Sequence, residues 1–229
     1  MNNPTRPHRN FYGRLKGKHL KDSQKGYLEE DLAALSPGAV DWDANPARDD
    51  LDLNGLFGGK DVWLEVGFGG GEHVIHQAVT NLDVGIIGCE PYINGVAMLL
   101  GKVRQASVDN LRIYPGDVRD MFDVLPDACI SKAFLLYPDP WPKARHHRRR
   151  FVTPEHLEPL LRVLKTGAEF RVATDIPDYV RQTLEEVPLA GFELVAQGGD
   201  AWDDWISTRY EQKALREGRT PHYLTFRKR

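Results

Sequence analysis

Four carboxylates recur through the middle of this chain at nearly one interval: Glu65, Glu90, Asp117 and Asp139, separated by 25, 27 and 22 residues. Each follows an apolar run with strand character, and the interval is about one strand–helix unit. A parallel sheet built from such units lines all four along its carboxyl edge, where open α/β sheets place their ligands. A rim of carboxylates suits a cationic ligand and poorly suits a pyrophosphate. The last of the four lies in F-L-L-Y-P-D-P-W-P-K-A-R-H-H-R-R-R, from Phe134 to Arg150. Proline cannot donate to a ladder and restricts the residue before it, so the strand should end near Tyr137. Asp139 and Trp141 then stand on a stiff loop. Lys143, Arg145, His146, His147, Arg148, Arg149 and Arg150 follow at once. A carboxylate, an aromatic ring and a polycation side by side point to chemistry on a polyanion. The competing reading of this stretch is a proline-rich turn leading into a solvated charged helix start.

The segment V-W-L-E-V-G-F-G-G-G-E-H-V, residues 62–74, reads as a strand, a glycine turn and a helix start. Gly67, Gly69, Gly70 and Gly71 permit a tight turn and bring backbone N–H groups against a ligand. The dinucleotide fingerprint needs glycine at its sixth position, which here is Glu72, so a nicotinamide dehydrogenase is disfavoured. What remains, E-x-G-x-G-x-G from Glu65, resembles the first motif of the S-adenosylmethionine-dependent methyltransferases. At the end of the second strand Glu90 can accept hydrogen bonds from both hydroxyls of a ribose. Asp117, in Y-P-G-D after the third strand, is placed to meet an adenine edge. G-L-F-G-G-K-D at 55–61 has the wrong spacing and position for a phosphate loop. No G-x-S-x-G elbow occurs, and Cys89 and Cys129 are too far apart for a zinc knuckle, so no metal is expected.

These groups need a frame, and the apolar pattern supplies one. Strands are predicted at 62–66, 84–89, 111–114, 130–137, 169–174, 192–196 and 223–227, alternating with helices at 72–79, 92–106, 154–164, 177–187 and 209–217. That alternation predicts an α/β, Rossmann-like fold, a seven-stranded mostly parallel sheet with helices on both faces. Thr208 and Glu211 form a capping box for the last helix, and Asp175 can cap the helix entering at Pro177. Both readings can coexist with ligand contacts, because a capped helix start can point into a cleft.

With 229 residues, 41% hydrophobic and 28% charged, the chain reads as an ordinary soluble protein. No apolar run approaches the roughly 20 residues of a membrane helix, and the N-terminus lacks the apolar core of a signal peptide. Two cysteines in apolar runs read as free thiols of a reducing compartment, so the cytoplasm is expected. The net charge of -3 hides an asymmetry: residues 1–28 carry seven Lys or Arg against Asp22, and residues 209–229 seven more against Glu211 and Glu217. Three basic blocks could merge into one phosphate-tracking face. Residues 1–28 read as a flexible basic arm, and 29–229 as a single domain.

The glycine motif, the acidic rim and Y-P-D-P-W-P-K-A-R-H-H-R-R-R together resemble the bacterial tRNA (guanine-N7-)-methyltransferase family. The similarity runs from Gly13 to the C-terminus and includes A-T-D at 173–175 and T-R-Y-E at 208–211. Pro142 stands where the family often has a polar residue. The resemblance implies S-adenosyl-L-methionine as methyl donor, held by Glu65, Gly67, Gly69, Glu90, Asp117 and Asp139, with Asp139 also catalytic. It implies substrate contacts at Lys143, Asp175, Thr208, Arg209, Tyr210 and Glu211, and RNA contacts at Arg145, His146, His147, Arg148, Arg149 and Arg150. The partner it implies is tRNA, methylated on the variable-loop guanosine at position 46. No obligate protein partner or membrane is implied. Trp141 reads equally as a stacking surface for a base and as a buried loop anchor. The alternatives are a methyltransferase for another RNA base and a non-catalytic RNA-binding module on the same fold.

Overall fold

Apolar runs become the strands of the sheet. In the computed structural model, which describes residues 5–229, Asp61–Val66 (β1), Val84–Cys89 (β2), Leu111–Tyr114 (β3), Ile130–Leu136 (β4) and Leu164–Thr174 (β5) pair in parallel. His222–Lys228 (β7) returns antiparallel to β5, and Phe192–Gly198 (β6) pairs antiparallel with it at the sheet edge. The order of the seven strands is β3-β2-β1-β4-β5-β7-β6. From β1 the chain winds one way through β2 and β3, then the other way from β4. The switch point therefore lies at the carboxyl ends of β1 and β4.

Successive residues of a strand face opposite sides, and β2 shows both sides covered. Ile86 packs with Val74 of Glu72–Thr80 (α3) and with Val96, Leu99 and Leu100 of Ile93–Ala106 (α4). Ile87 and Cys89 belong to the opposite core. That core gathers Val118–Phe122 (α5), Pro154–Val163 (α6) and Pro177–Leu189 (α7). Asp22–Glu30 (α1), the short Leu53–Phe57 (α2) and Arg209–Arg216 (α8) complete the helices.

Two expectations shift. The stretch 1–28, expected as a flexible arm, runs into α1, whose Tyr27 and Leu28 pack on the α4 core, with Arg104 stacked over Tyr27 at 4.6 Å. Residues 1–4 of that expected arm lie outside the described residues. The single Pro and Gly signals at 154 and 167 hid the true length of β5, which starts at Leu164 directly after α6. Both cysteines are free, Cys89 buried and Cys129 half-buried. Among the described residues no helix is long and apolar enough to cross a membrane.

Candidate active site

At the switch point the chain encloses a cavity of about 720 Å³. Its floor is the turn after β1. Gly67, Gly69 and Gly71 have φ of 69°, 56° and 77°, a region where a Cβ is costly. The Gly67 amide donates to the Cys89 carbonyl at 2.8 Å, which ties the turn to β2. Nothing lies within 4 Å of a Cβ built on Gly67, so this face of the turn is open to a ligand. The next two glycines are covered, Gly69 by Tyr210 and Gly70 by Arg209. Close approach of α8 to the turn thus depends on missing side chains.

Glu90 braces both walls. One carboxylate oxygen accepts from the Gly69 amide at 2.6 Å and the other from the Tyr92 amide at 2.8 Å. Only 7% of Glu90 is exposed, and burial pushes its pKa up to about 7, against these two amides and with help from Asp139 and Glu65. The folded value lies above the unfolded one near 4.5, so the stabilising contribution is complete below pH 4.5. It is lost as pH rises towards 7, and above that the ionised, buried carboxylate costs about 3 kcal/mol. Thermal unfolding between pH 5 and 8 should therefore show a smaller loss of stability in Glu90→Gln than in the unaltered protein. Equal pH dependence in the two would show that Glu90 is ionised throughout. A ligand that hydrogen-bonds to the carboxylate should stabilise the unaltered protein more at pH 8 than at pH 5.5.

Asp117 and Asp139 line the same cavity. Asp117 caps α5, accepting from the Arg119 amide at 3.0 Å and from its guanidinium at 2.5 Å. Burial raises its pKa, but the Arg119 contacts together outweigh that and hold it below the ordinary value. Asp139 has no such partner among the described residues. Desolvation by the cavity walls raises its pKa, with only Arg14 opposing. Glu65 takes a different position from the other three acids. It is turned away from the cavity, 3% exposed, with Oε2 at 2.7 Å from Nδ1 of His73. Phe134 and Trp205 pack against that imidazole, and Gln77 lies 3.2 Å from its Nε2. A dry site with an imidazole waiting draws the carboxylate behind the glycine turn.

The basic segment divides into an anchor and a free surface. Tyr137 and Trp141 adopt φ of 49° and 39°, so the chain leaves β4 through two left-handed residues around Pro138–Pro140. Arg150, expected on the RNA face, is instead fully buried beneath that loop. It donates to the carbonyls of Pro140 at 2.8 Å and Trp141 at 3.4 Å, to Gln182 Oε1 at 2.9 Å, and pairs with Asp178 at 2.9 Å. Five fixed donors suit Arg to this role, and nothing of it is left for a phosphate. Lys143, Arg145 and Arg148 are exposed on the 3₁₀ turn Ala144–Arg149 or at its start, without an acid partner among the described residues. His146 and His147 are half-buried, and His147 lies 3.2 Å from Asp178. Desolvation and the surrounding arginines lower the His146 pKa.

The residues from the later motifs are less free than their pattern implies. Asp175 does not cap α7, whose N-cap is Ile176; it pairs with Arg219. Thr208 caps α8 by accepting from the Glu211 amide at 3.3 Å. The reciprocal half of the box is absent because Glu211 is taken by stronger donors: Trp205 Nε1 at 3.0 Å, Tyr137 and the Tyr223 hydroxyl. Arg209 pairs with Glu72, and burial raises the Glu72 carboxyl less than Arg209 and Lys102 lower it. Tyr210 is the member of this group that lines the cavity.

A family profile described as "Putative methyltransferase" matches residues 59–224. A tRNA (guanine-N(7)-)-methyltransferase of Jannaschia sp. (strain CCS1) is 74% identical over 99% of this chain and 97% of its own length. The chain belongs to the tRNA (guanine-N(7)-)-methyltransferases. A relative from Ruegeria pomeroyi is 72% identical, covering 98% of this chain and 97% of that protein; one from Rhodospirillum rubrum is 44% identical, covering 96% and 88%. The solved 16S rRNA methyltransferase KamB superposes with a TM-score of 0.58 at 18% identity, over 79% of this chain and 95% of that one. That likeness shows the class I methyltransferase fold.

In this member of the tRNA (guanine-N(7)-)-methyltransferases the N-terminal segment completes the site. Arg9 is clamped to Asp123 at 2.6 and 2.8 Å and to Asp120 at 3.1 Å, and the Asn10 carbonyl accepts from Arg119 at 3.0 Å. At the far end the Leu15 carbonyl accepts from the Ile93 amide at 3.0 Å. Between these ties Tyr12 and Arg14 face the cavity. Composition alone gave no sign of this. Its place is set by Arg9 pairing with two acids more than a hundred residues away, which no local pattern in the sequence reports. Arg119 and His156 were also missed; desolvation and Arg119 push the His156 pKa down to about 4, so it lines the cavity as a neutral ring.

Proposed function

We propose that this enzyme transfers a methyl group from S-adenosylmethionine to N7 of the guanosine at position 46 of tRNA. The observation that carries this reading is that Asp139, on its proline-braced loop, faces the same cavity as the glycine turn and Glu90, beside the exposed Lys143, Arg145 and Arg148. The cavity fits the donor: its open glycine face, its four carboxylates Glu90, Asp117, Asp139 and Glu155, and its volume suit a hydroxyl-bearing cation of nucleoside size. Glu90 would accept from the ribose hydroxyls, and Asp117 would meet the adenine edge. When bound, the donor supplies an electrophilic methyl group on a sulfonium.

Guanine N7 carries an in-plane lone pair, so no proton has to leave before it reacts. The protein's task is alignment of N7 with the methyl group, which is positioning catalysis. Asp139 would accept from N1–H and N2–H of the purine. Its negative charge then stabilises the positive charge that grows on the ring as the bond forms. Lys143, Arg145 and Arg148 hold phosphates and fix register without reading sequence. An activity on tRNA, two free thiols and the absence of a membrane-length helix among the described residues support a cytoplasmic enzyme.

The test uses the purified protein, an unmodified tRNA transcript and S-adenosylmethionine, followed by nuclease digestion and mass spectrometry. N7-methylguanosine is expected, mapped to position 46. Another methylated nucleoside would overturn the substrate, and tight tRNA binding without methylation would overturn the enzymatic reading.

A further inference from the structure

One cation at the mouth of the cavity is held in an unusual way. The Arg149 guanidinium carbon lies 4.6 Å from the ring centroid of Tyr12 and 5.0 Å from that of Trp141. The two rings are 6.4 Å apart with their planes at 76°, so they form the walls of a corner. Among the described residues no carboxylate pairs with Arg149, and its buried Nε has no hydrogen-bond partner. A guanidinium normally finds an acid or a carbonyl fork when it is half-buried. Here its partners are two π-faces. All three residues line the cavity that Asp139 faces.

An aromatic corner attracts cations through the ring quadrupole, and flat delocalised cations best of all. Guanine is neutral before methyl transfer and cationic after it. We propose that Tyr12 and Trp141 form the receptor for the target purine, and that Arg149 holds their place until the base arrives. On this reading, which rests on the guanine-N7 activity above, the base stacks on one ring with the other against its edge, and its N7 stays open to the methyl donor. Arg149 then leaves the corner and pairs with a phosphate of the same strand, which satisfies the guanidinium that the free protein leaves unpaired. The corner binds the purine more tightly as it gains charge, so it favours the transition state over the neutral base. Tyr12 comes from the N-terminal segment, which makes that segment part of the substrate site.

The test compares binding of guanosine 5′-monophosphate and 7-methylguanosine 5′-monophosphate by calorimetry, with S-adenosylhomocysteine present to fill the donor site. The methylated nucleotide is expected to bind on the order of tenfold more tightly. Tyr12→Ala and Trp141→Ala should each reduce that preference, and Tyr12→Phe and Trp141→Phe should keep it, since a ring face is all that is required. S-adenosylhomocysteine affinity, measured separately, should stay within about twofold in the Phe variants, reporting an intact fold. Equal affinity for the two nucleotides in the unaltered protein would overturn the proposal, as would a preference that survives both Ala substitutions. If N7-methylguanosine forms on tRNA while the preference is absent, this inference alone fails. If no N7-methylguanosine forms, the reading beneath it fails.

Discussion

Asp139→Ala should lower kcat for tRNA methylation by roughly 10²- to 10³-fold while leaving the folded protein at least as stable as before. The kinetic loss is that of removing one preorganised electrostatic partner from a reacting centre, typically about 3–4 kcal/mol. The stability expectation comes from what Asp139 lacks. Its carboxylate has no hydrogen bond among the described residues and its pKa is raised by desolvation, opposed only by Arg14. A raised carboxyl pKa means that the ionised form is the penalised one, so the penalty is complete at neutral pH and absent in acid. Removing the group relieves it. Asp117 offers the contrast: its carboxylate caps α5 and binds Arg119, so Asp117→Ala should cost stability as well as activity. Single-turnover rates with saturating tRNA, paired with thermal unfolding at pH 7.5, separate the cases. A destabilised Asp139→Ala with near-normal turnover would remove Asp139 from the reaction. Asp139→Asn keeps the shape but offers an amide in place of charge, and it should recover little of the rate.

The sheet was legible because its strands are short apolar runs, most of them close to a Gly or Pro, and six of the seven have bounds close to those read from the pattern. The interval between acids located the site edge because a parallel sheet leaves no other place for residues that follow each strand. What the pattern could not show was the direction in which each side chain turns. Glu65 lies inside β1, one residue before its end, where the other three acids follow their strands, and His73 holds it behind the glycine turn. Thr208 and Glu211 satisfy a capping signature in sequence, but two tyrosines and Trp205, brought together by β4, β7 and the loop before α8, outcompete the backbone for the Glu211 carboxylate. The N-terminal segment was illegible for a related reason. It has no periodicity, and its place is set by side-chain clasps to distant acids, with no helix or strand before α1 among the described residues.

Arg150 carries the second large effect, and it separates anchoring from RNA binding within one basic run. Arg150→Met fills the space but leaves the Pro140 and Trp141 carbonyls, Gln182 and Asp178 without their donor. Each orphaned buried acceptor costs about 1–3 kcal/mol. Asp178 is 44% exposed on its side chain, so water recovers much of the ion pair and the carbonyls carry most of the loss. A net cost of about 3 kcal/mol follows, or roughly 6–12 °C in Tm for a domain of this size. Arg150→Lys should rescue little, because one ammonium cannot span four acceptors. The catalytic penalty should exceed the stability penalty. The acceptors belong to the loop that holds Asp139, and a displacement of about 1 Å there can cost on the order of 10²-fold in rate. Binding then distinguishes the anchor from its neighbours. Loss of one phosphate contact in Arg148→Ala should reduce the salt dependence of tRNA affinity by about one unit of slope. Arg150→Met should leave that slope unchanged at temperatures where the protein is folded, because the guanidinium it removes is buried. A shallower slope in Arg150→Met at full stability would return Arg150 to the RNA surface.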